Sequence, residues 1–376
     1  MKKKIFYALF FGILLVLFSS EQVTYAQKVK PTNNQLHQAV KKMSLAEKIG
    51  QMYISPSPAD VSKTNNDISK YHLGGLVLFG NDFKNQNATQ LKQKLTSFQS
   101  SAKIPLFIAT DQEGGTVSRL STDPQLTNGR YFPSPQETYN QQGLAGTIAE
   151  ASKTAKIMHN LGINWNFAPV ADVSNDPKSF IYPRTLGQNY QTTATYISKV
   201  VPAIQKQHVV ASLKHFPGYG SAADTHTGFA STDRSLADFQ KNDFLPFEAG
   251  IKKNVSTVLV AHVVMKSVDS QLPASLSPKV HQLLRKKLKF KGVIITDDLG
   301  MGAITKYSQE HKVTPDVLAV KAGNDALLSN NYVQGIPAIE QAVRTGSIKE
   351  KQINASVYRI LKIKRNLGLL KIQQLK

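Results

Sequence analysis

Eight short apolar runs alternate with amphipathic stretches along this chain, and that rhythm limits the possible folds more than any other feature. The runs are Gln51–Ser55, Gly75–Phe79, Leu106–Thr110, Asn164–Val173, Val209–Leu213, Thr257–Ala261, Gly292–Thr296 and Ala326–Ser329. Apolar runs of this length, bounded by turn residues, read as buried strands. Between them the apolar spacing predicts helices over Thr89–Ser100, Ile148–Leu161, Thr193–Gln207, Ala237–Lys252, Ser277–Leu288 and Thr314–Ala322. Two more, Ile336–Arg344 and Lys349–Asn366, close the chain. Strand–helix alternation implies an α/β protein with a parallel sheet. Eight strands is the number that closes a (β/α)8 TIM-type barrel, and 376 residues hold one with insertions. A doubly wound open sheet is the competing architecture, but no glycine-rich fingerprint follows the first strand. We expect a single catalytic barrel over residues 32–376, with no long linker or internal repeat.

The N-terminus reads as a separate object. Lys2, Lys3 and Lys4 precede an uncharged apolar run of 14 residues, Ile5 to Phe18, and a polar stretch ends in Thr24-Tyr25-Ala26. This is the pattern of a secretory signal peptide, 1–26, followed by a polar leader, 27–31. The run is short for a membrane span, which needs about 20 residues, so an uncleaved anchor is the competing reading. The chain has no cysteine. That excludes disulfides, thiolate metal sites, cysteine nucleophiles and a lipid-modified cysteine anchor, so stability must come from the core. Net charge is +21, and +19 once the three lysines and Glu21 of the signal are removed. An excess this large favours polyanions. For an exported protein the nearby polyanion is the cell wall or an anionic membrane face, and no basic motif interleaved with aromatics speaks for nucleic acid. Arg285-Lys286-Lys287 and the run Lys362 to Arg365 read as solvated helix faces.

In parallel barrels the chemistry sits where strands end. Asp111-Gln112-Glu113-Gly114-Gly115 follows the third run, Lys214-His215 the fifth, His262 the sixth and Asp297-Asp298 the seventh. Four strand ends thus deliver ionisable groups to one rim. Asp297 has a plainer alternative, since a carboxylate after a strand often caps the next helix. Adjacent side chains on extended backbone point opposite ways, so one of Asp297 and Asp298 can face the rim while the other braces the turn. In the loop Gly218–Phe229, Asp224 and His226 are alternate residues that share a face, so Asp224 can hold the imidazole in one tautomer. A surface Asp–His contact is the competing reading there. Arg119 and Arg184 follow the third and fourth strands, where solvated side chains are the ordinary alternative. Trp165, inside a strand pattern, is read as core.

These residues carry a resemblance. The chain is similar to glycoside hydrolase family 3, in its single-domain β-N-acetylhexosaminidase branch, over almost the whole length after the signal. The segments are Ser44 to Met52, Asp111 to Gly115, Lys214-His215-Phe216-Pro217-Gly218 with Asp224-Thr225-His226, Leu272 to Ser277 leading to Ile295–Met301, and Ala322-Gly323-Asn324-Asp325. The resemblance implies Asp297 as nucleophile, His226 as acid/base and Asp224 as its orienter. It also implies Asp111, Arg119, Arg184, Lys214 and His215 as the groups holding the non-reducing sugar. Two positions depart from the family's pattern. Tyr219 stands where histidine is usual, and Thr116 where arginine is usual.

The implied activity is retaining release of terminal β-linked N-acetylglucosamine, without a cofactor, by an exported enzyme acting on a glycan of the wall. Most glycosidases pair two carboxylic acids. An imidazole titrating near neutrality can replace one of them, donating a proton in the first step and accepting one in the second. Two other classes stay open on the sequence. His215, His226, His262, Asp111 and Asp297 are possible ligands of a metal-dependent barrel hydrolase. A wall-binding protein without activity is the third.

Overall fold

The computed structural model describes residues 30–220, 222–226 and 228–375. The expected signal peptide, 1–26, and residues 27–29 lie outside the described residues. Eight strands form one parallel sheet: β1 Tyr53–Pro56, β2 Gly75–Leu78, β3 Phe107–Thr110, β4 Trp165–Asn166, β5 Val210–Phe216, β6 Thr257–Val260, β7 Val293–Thr296 and β8 Leu327–Leu328. From β1 to β7 each strand pairs with the next in sequence, and β1 also pairs with β8. The free edges of β7 and β8 meet in a parallel bridge between Ile295 and Ala326, where the Ala326 amide donates to the Ile294 carbonyl at 3.0 Å. The sheet is thereby a nearly closed barrel with helices outside it, as the strand count predicts.

Burial explains why the strand signal is so legible. β2, β3, β6 and β7 are buried at every position, as parallel strands covered on both faces must be. Trp165 is fully buried in the core as expected, edge-on to Phe107 and Phe167 at 4.8 and 5.3 Å. Its indole N–H donates to Ser212 Oγ at 2.7 Å, which removes the cost of an unpaired donor in the barrel interior.

Several boundaries differ from the sequence reading, each for a local reason. Gln51 and Met52 finish the helix Leu45–Met52, opened by a reciprocal cap between Ser44 and Glu47, so β1 starts at Tyr53. β4 pairs over two residues only; Pro169 follows, which has no N–H to give a ladder. β5 runs on to Phe216, which places Lys214 and His215 within the strand and not after it. The expected helix Ala237–Lys252 is two helices, Leu236–Lys241 and Phe244–Lys252, parted at Asn242 (φ −121°, ψ −84°). Among the described residues no helix is long and apolar enough to cross a membrane.

Beneath the barrel the closing helix Glu350–Asn366 inserts Lys364, which is fully buried. Its Nζ donates to Gln51 Oε1 at 2.8 Å and sits 5.1 Å from the centre of the Phe107 ring. Burial pushes its pKa down from 10.5 to about 7. The unfolded chain therefore holds one more proton than the folded chain between those values, and stability rises with pH across that window. Below pH 7 both states are protonated and the full penalty, roughly a few kcal/mol, is felt. Lys364→Met is expected to be about 1–3 kcal/mol more stable at pH 6, with the gain fading toward pH 10. Urea unfolding at several pH values checks this, and a pH-independent difference would contradict it.

Candidate active site

The loops after the strands bring the ionisable groups together at the C-terminal end of the barrel. After β3 the chain makes a small antiparallel hairpin, Gln112–Gly114 against Val117–Ser118, with Thr116 exposed at its tip. That turn buries the Glu113 side chain, which the sequence reading quoted within a motif but gave no role. Glu113 accepts from Arg184 Nε and Nη2 at 2.9 and 2.8 Å and pairs with Lys214 Nζ at 2.5 Å. Lys214 also donates to Asp111 Oδ1 at 2.7 Å, and Arg119 Nη2 lies 3.8 Å from Asp111 Oδ2. Burial alone would raise the Glu113 carboxyl, but the charges of Lys214, Arg184 and His215 outweigh it and hold it well below the usual range. Lys214 is shifted the other way. Burial opposes its charge, and the two carboxylates of Asp111 and Glu113 more than restore it.

His215 is fixed from both sides. Its Nδ1 faces Asp172 Oδ2 at 2.7 Å and Arg184 Nη2 donates toward its Nε2 at 3.2 Å. Asp172 also accepts from the His215 amide at 3.0 Å and the Tyr219 amide at 2.8 Å, so one buried carboxylate shapes the end of β5. Asp172 is a second residue that the sequence did not single out. It sits two residues beyond Val170, whose bridge to Lys214 carries the β4 segment past its own ladder.

Asp297 and Asp298 divide their tasks. Asp298 Oδ1 accepts from the Gly300 amide at 2.8 Å and its carbonyl from the Met301 amide at 3.0 Å, which braces the turn. Asp297 Oδ1 accepts from the Asp298 amide at 2.9 Å. Burial would raise its carboxyl, but His215, His262, that amide and Lys214 outweigh burial and hold it below the ordinary value. The group is thus kept anionic in a partly enclosed place. His262 is pushed down by burial; its Nε2 donates to the Asp298 carbonyl at 2.8 Å and its Nδ1 faces Ser275 Oγ at 2.7 Å.

The Asp224–His226 pair lies on the loop beside this group. Asp224 Oδ1 accepts from His226 Nδ1 at 2.5 Å and from the His226 amide at 3.0 Å. Both side chains are solvent-accessible, at 34% and 58%, which leaves Nε2 of the imidazole turned away from its orienter. Between them Thr225 is fully buried, its carbonyl accepting from the Ala303 amide at 3.3 Å. His226 lies within electrostatic reach of His262 and Asp298, so the loop borders the Asp297 turn.

A metal is poorly served here. Both ring nitrogens of His262 and of His215 are engaged by protein groups, and no three His, Asp or Glu side chains among the described residues cluster as ligands.

Comparison with known proteins bears on this arrangement. The profile of the glycosyl hydrolase family 3 N terminal domain matches residues 44–363. The chain belongs to glycoside hydrolase family 3. It is 31% identical to beta-hexosaminidase A of Pseudoalteromonas piscicida across 80% of this chain, and spans 54% of that protein's length. It is 34% identical to the beta-hexosaminidase of Xanthomonas axonopodis pv. citri across 61% of this chain and 69% of the relative. Among solved structures, a family 3 beta-N-acetylglucosaminidase from Paenibacillus superposes with TM-score 0.79 at 30% identity, over 87% of this chain and 63% of that one. A beta-N-acetylhexosaminidase from Beutenbergia cavernae superposes with TM-score 0.74 at 25% identity, over 86% and 99%.

The surroundings of Tyr219, which the sequence resemblance marks as a departure, give it a purpose the sequence did not show. Its hydroxyl meets Thr225 Oγ1, its ring packs edge-on against Phe180 and His215 at 4.9 and 5.2 Å, and it belongs to a small core with Ile181, Ala230, Ala261 and Val263. Tyr219 therefore ties the centre of the Asp224–His226 loop to the floor of the site. Tyr219→Phe keeps the ring and removes that tie, worth about 1 kcal/mol. A roughly fivefold fall in kcat with little change in KM is expected. Steady-state kinetics check it; an unchanged kcat would show that the tie does not position the loop.

Proposed function

We propose that this protein is an exported, retaining exo-β-N-acetylhexosaminidase that releases terminal β-linked N-acetylglucosamine from peptidoglycan fragments or related glycans. The observation that carries the reading is the Asp224–His226 pair beside an anionic, enclosed Asp297 at the barrel's C-terminal rim. The hexosaminidase names of the relatives support the sugar class.

In the first step an Asp297 oxygen attacks the anomeric carbon and the glycosidic C–O bond breaks. His226 Nε2 donates its proton to the departing oxygen, while Asp224 stabilises the imidazole through Nδ1. In the second step His226 takes a proton from water, whose oxygen attacks the same carbon and frees Asp297. Two inversions give net retention. Asp111, Lys214, Arg119, Arg184 and His215 face the sugar's hydroxyls and acetamido group. The Arg119 side chain is about a third exposed and lies 3.8 Å from Asp111, which leaves guanidinium N–H groups for such a ligand. Export rests on the N-terminal signal pattern, and the charge of +19 left after removal of the signal suits work at an anionic wall.

The test is turnover of a nitrophenyl N-acetyl-β-glucosaminide, with the anomer of the first product followed by NMR. Release of the β-anomer, insensitive to chelators, is expected. Turnover abolished by a chelator would favour the metal-dependent class, and no turnover on any N-acetylglucosaminide would favour a glycan-binding protein.

A further inference from the structure

The catalytic rim leaves most of the protein's positive charge unexplained. Two adjoining grooves at the other end of the barrel collect part of it. One, of about 600 Å³, is lined by Arg285, Lys321, Lys349 and Lys351, beside Asp325 at the entry to β8. The other, of about 400 Å³, is lined by Lys41, Lys362 and Lys291, the last two residues ahead of β7. They share Ala355 and Arg359 on the closing helix, so they form one track.

The charge balance of that track is one-sided. Asp325 is the single acidic side chain lining it and is almost fully buried. Its carboxylate is used up by Arg285, by Arg359 at 2.9 Å, by Ser356 Oγ at 2.8 Å and by the Ile294 amide at 2.9 Å. Glu350, on the same helix, turns away to Lys48 at 2.8 Å. None of Lys41, Lys291, Lys321, Lys349, Lys351 and Lys362 has an ion-pair partner among the described residues, and all six are exposed. Gathered ammonium groups repel one another unless an anion lies among them.

The lining also selects among anions. Its tyrosine, Tyr358, is stacked on His37 at 4.0 Å and 8°, so its ring face toward His37 is covered where a nucleobase would stack. The large exposed apolar side chains among the described residues, Val61, Tyr131, Phe229 and Val333, line neither groove, so the track itself offers no apolar side chain of that kind to a bilayer. A track of ammonium groups whose tyrosine is already stacked, and whose lining carries no exposed large apolar side chain, suits a flexible linear chain of phosphates.

We propose that this track is a docking site for a linear phosphate polymer, held at the end of the barrel opposite the catalytic rim. The inference rests on the reading of the chain as a wall-associated protein, and it names the face and partner chemistry of that association. A polymer bound there leaves the rim open to its own substrate.

The experiment titrates the full chain with long-chain inorganic polyphosphate by calorimetry, at low and at moderate salt. The triple variant Lys321→Glu, Lys351→Glu, Lys362→Glu is compared with Lys153→Glu, Lys156→Glu, Lys206→Glu. The second triple changes net charge equally at exposed lysines outside the track. Binding is expected to weaken roughly tenfold or more in the track variant, with a shallower salt dependence, and about twofold or less in the other. Equal weakening in both triples would overturn the site, since net charge alone would then explain binding. Tighter binding to phosphatidylglycerol vesicles or to single-stranded DNA than to polyphosphate would overturn the partner chemistry. Turnover of the nitrophenyl glycoside, assayed in parallel, reports on the rim alone. A wild-type protein that binds polyphosphate but hydrolyses nothing would count against the glycosidase reading and not against this site.

Discussion

Replacing Asp297 by asparagine is expected to lower kcat on an N-acetylglucosaminide by at least about 10⁴-fold while leaving the barrel folded. The size follows from the role. Asparagine keeps the contact with the Asp298 amide at 2.9 Å but cannot attack the anomeric carbon or balance the positive charge that develops there. Burial opposes the Asp297 charge, yet His215, His262, the Asp298 amide and Lys214 hold the carboxyl below its ordinary value. The anion therefore persists to a more acidic pH than a free aspartate would allow. An acidic limb near neutrality in the pH–rate profile should not belong to Asp297. A fluorinated slow substrate is expected to label the wild type on the peptide that holds Asp297 and to leave the variant unlabelled. A label on any other residue would overturn the assignment of the nucleophile.

His226→Ala is expected to lose about 10²- to 10⁴-fold in kcat, and the loss should depend on the leaving group. With a poor leaving group, proton donation to the glycosidic oxygen is needed and the first step collapses. With a dinitrophenolate leaving group it is not needed, so the first step recovers and the covalent intermediate accumulates, because no base activates water. Azide, a nucleophile that needs no base, should then restore turnover and yield the β-glycosyl azide. Asp224→Ala should fall between wild type and His226→Ala, since it leaves the imidazole in place without its partner at 2.5 Å. A loss equal for all leaving groups, with no response to azide, would show that His226 does not transfer the proton.

Much of this was legible in the sequence because burial on both faces writes strands as apolar runs. All eight runs contain or overlap a strand of the barrel. The helix Val61–Tyr71 between β1 and β2 was missed because it buries only Thr64 and Ile68, too few apolar residues to mark a stripe. Strand ends showed where Asp111, Lys214, His215 and Asp297 lie. What they could not show was partnership across the barrel. Glu113 meets Arg184 and Lys214 from 71 and about 100 residues away, and nothing local in its segment signals that pairing. Asp172 and Tyr219 escaped for the same reason. Each acts through residues on another loop, and Tyr219 was visible only as a departure from a motif.

The way Asp224 grips His226 has a consequence for how such a loop works. One carboxylate oxygen holds both the backbone amide and the ring nitrogen of a residue two places on. One carboxylate thereby sets ring and backbone together within three positions of the chain. Were the loop to shift about Thr225, which is buried, the proposed proton donor would travel with that orientation already set. Swinging away between turnovers to let a cleaved sugar leave would then cost position but not aim.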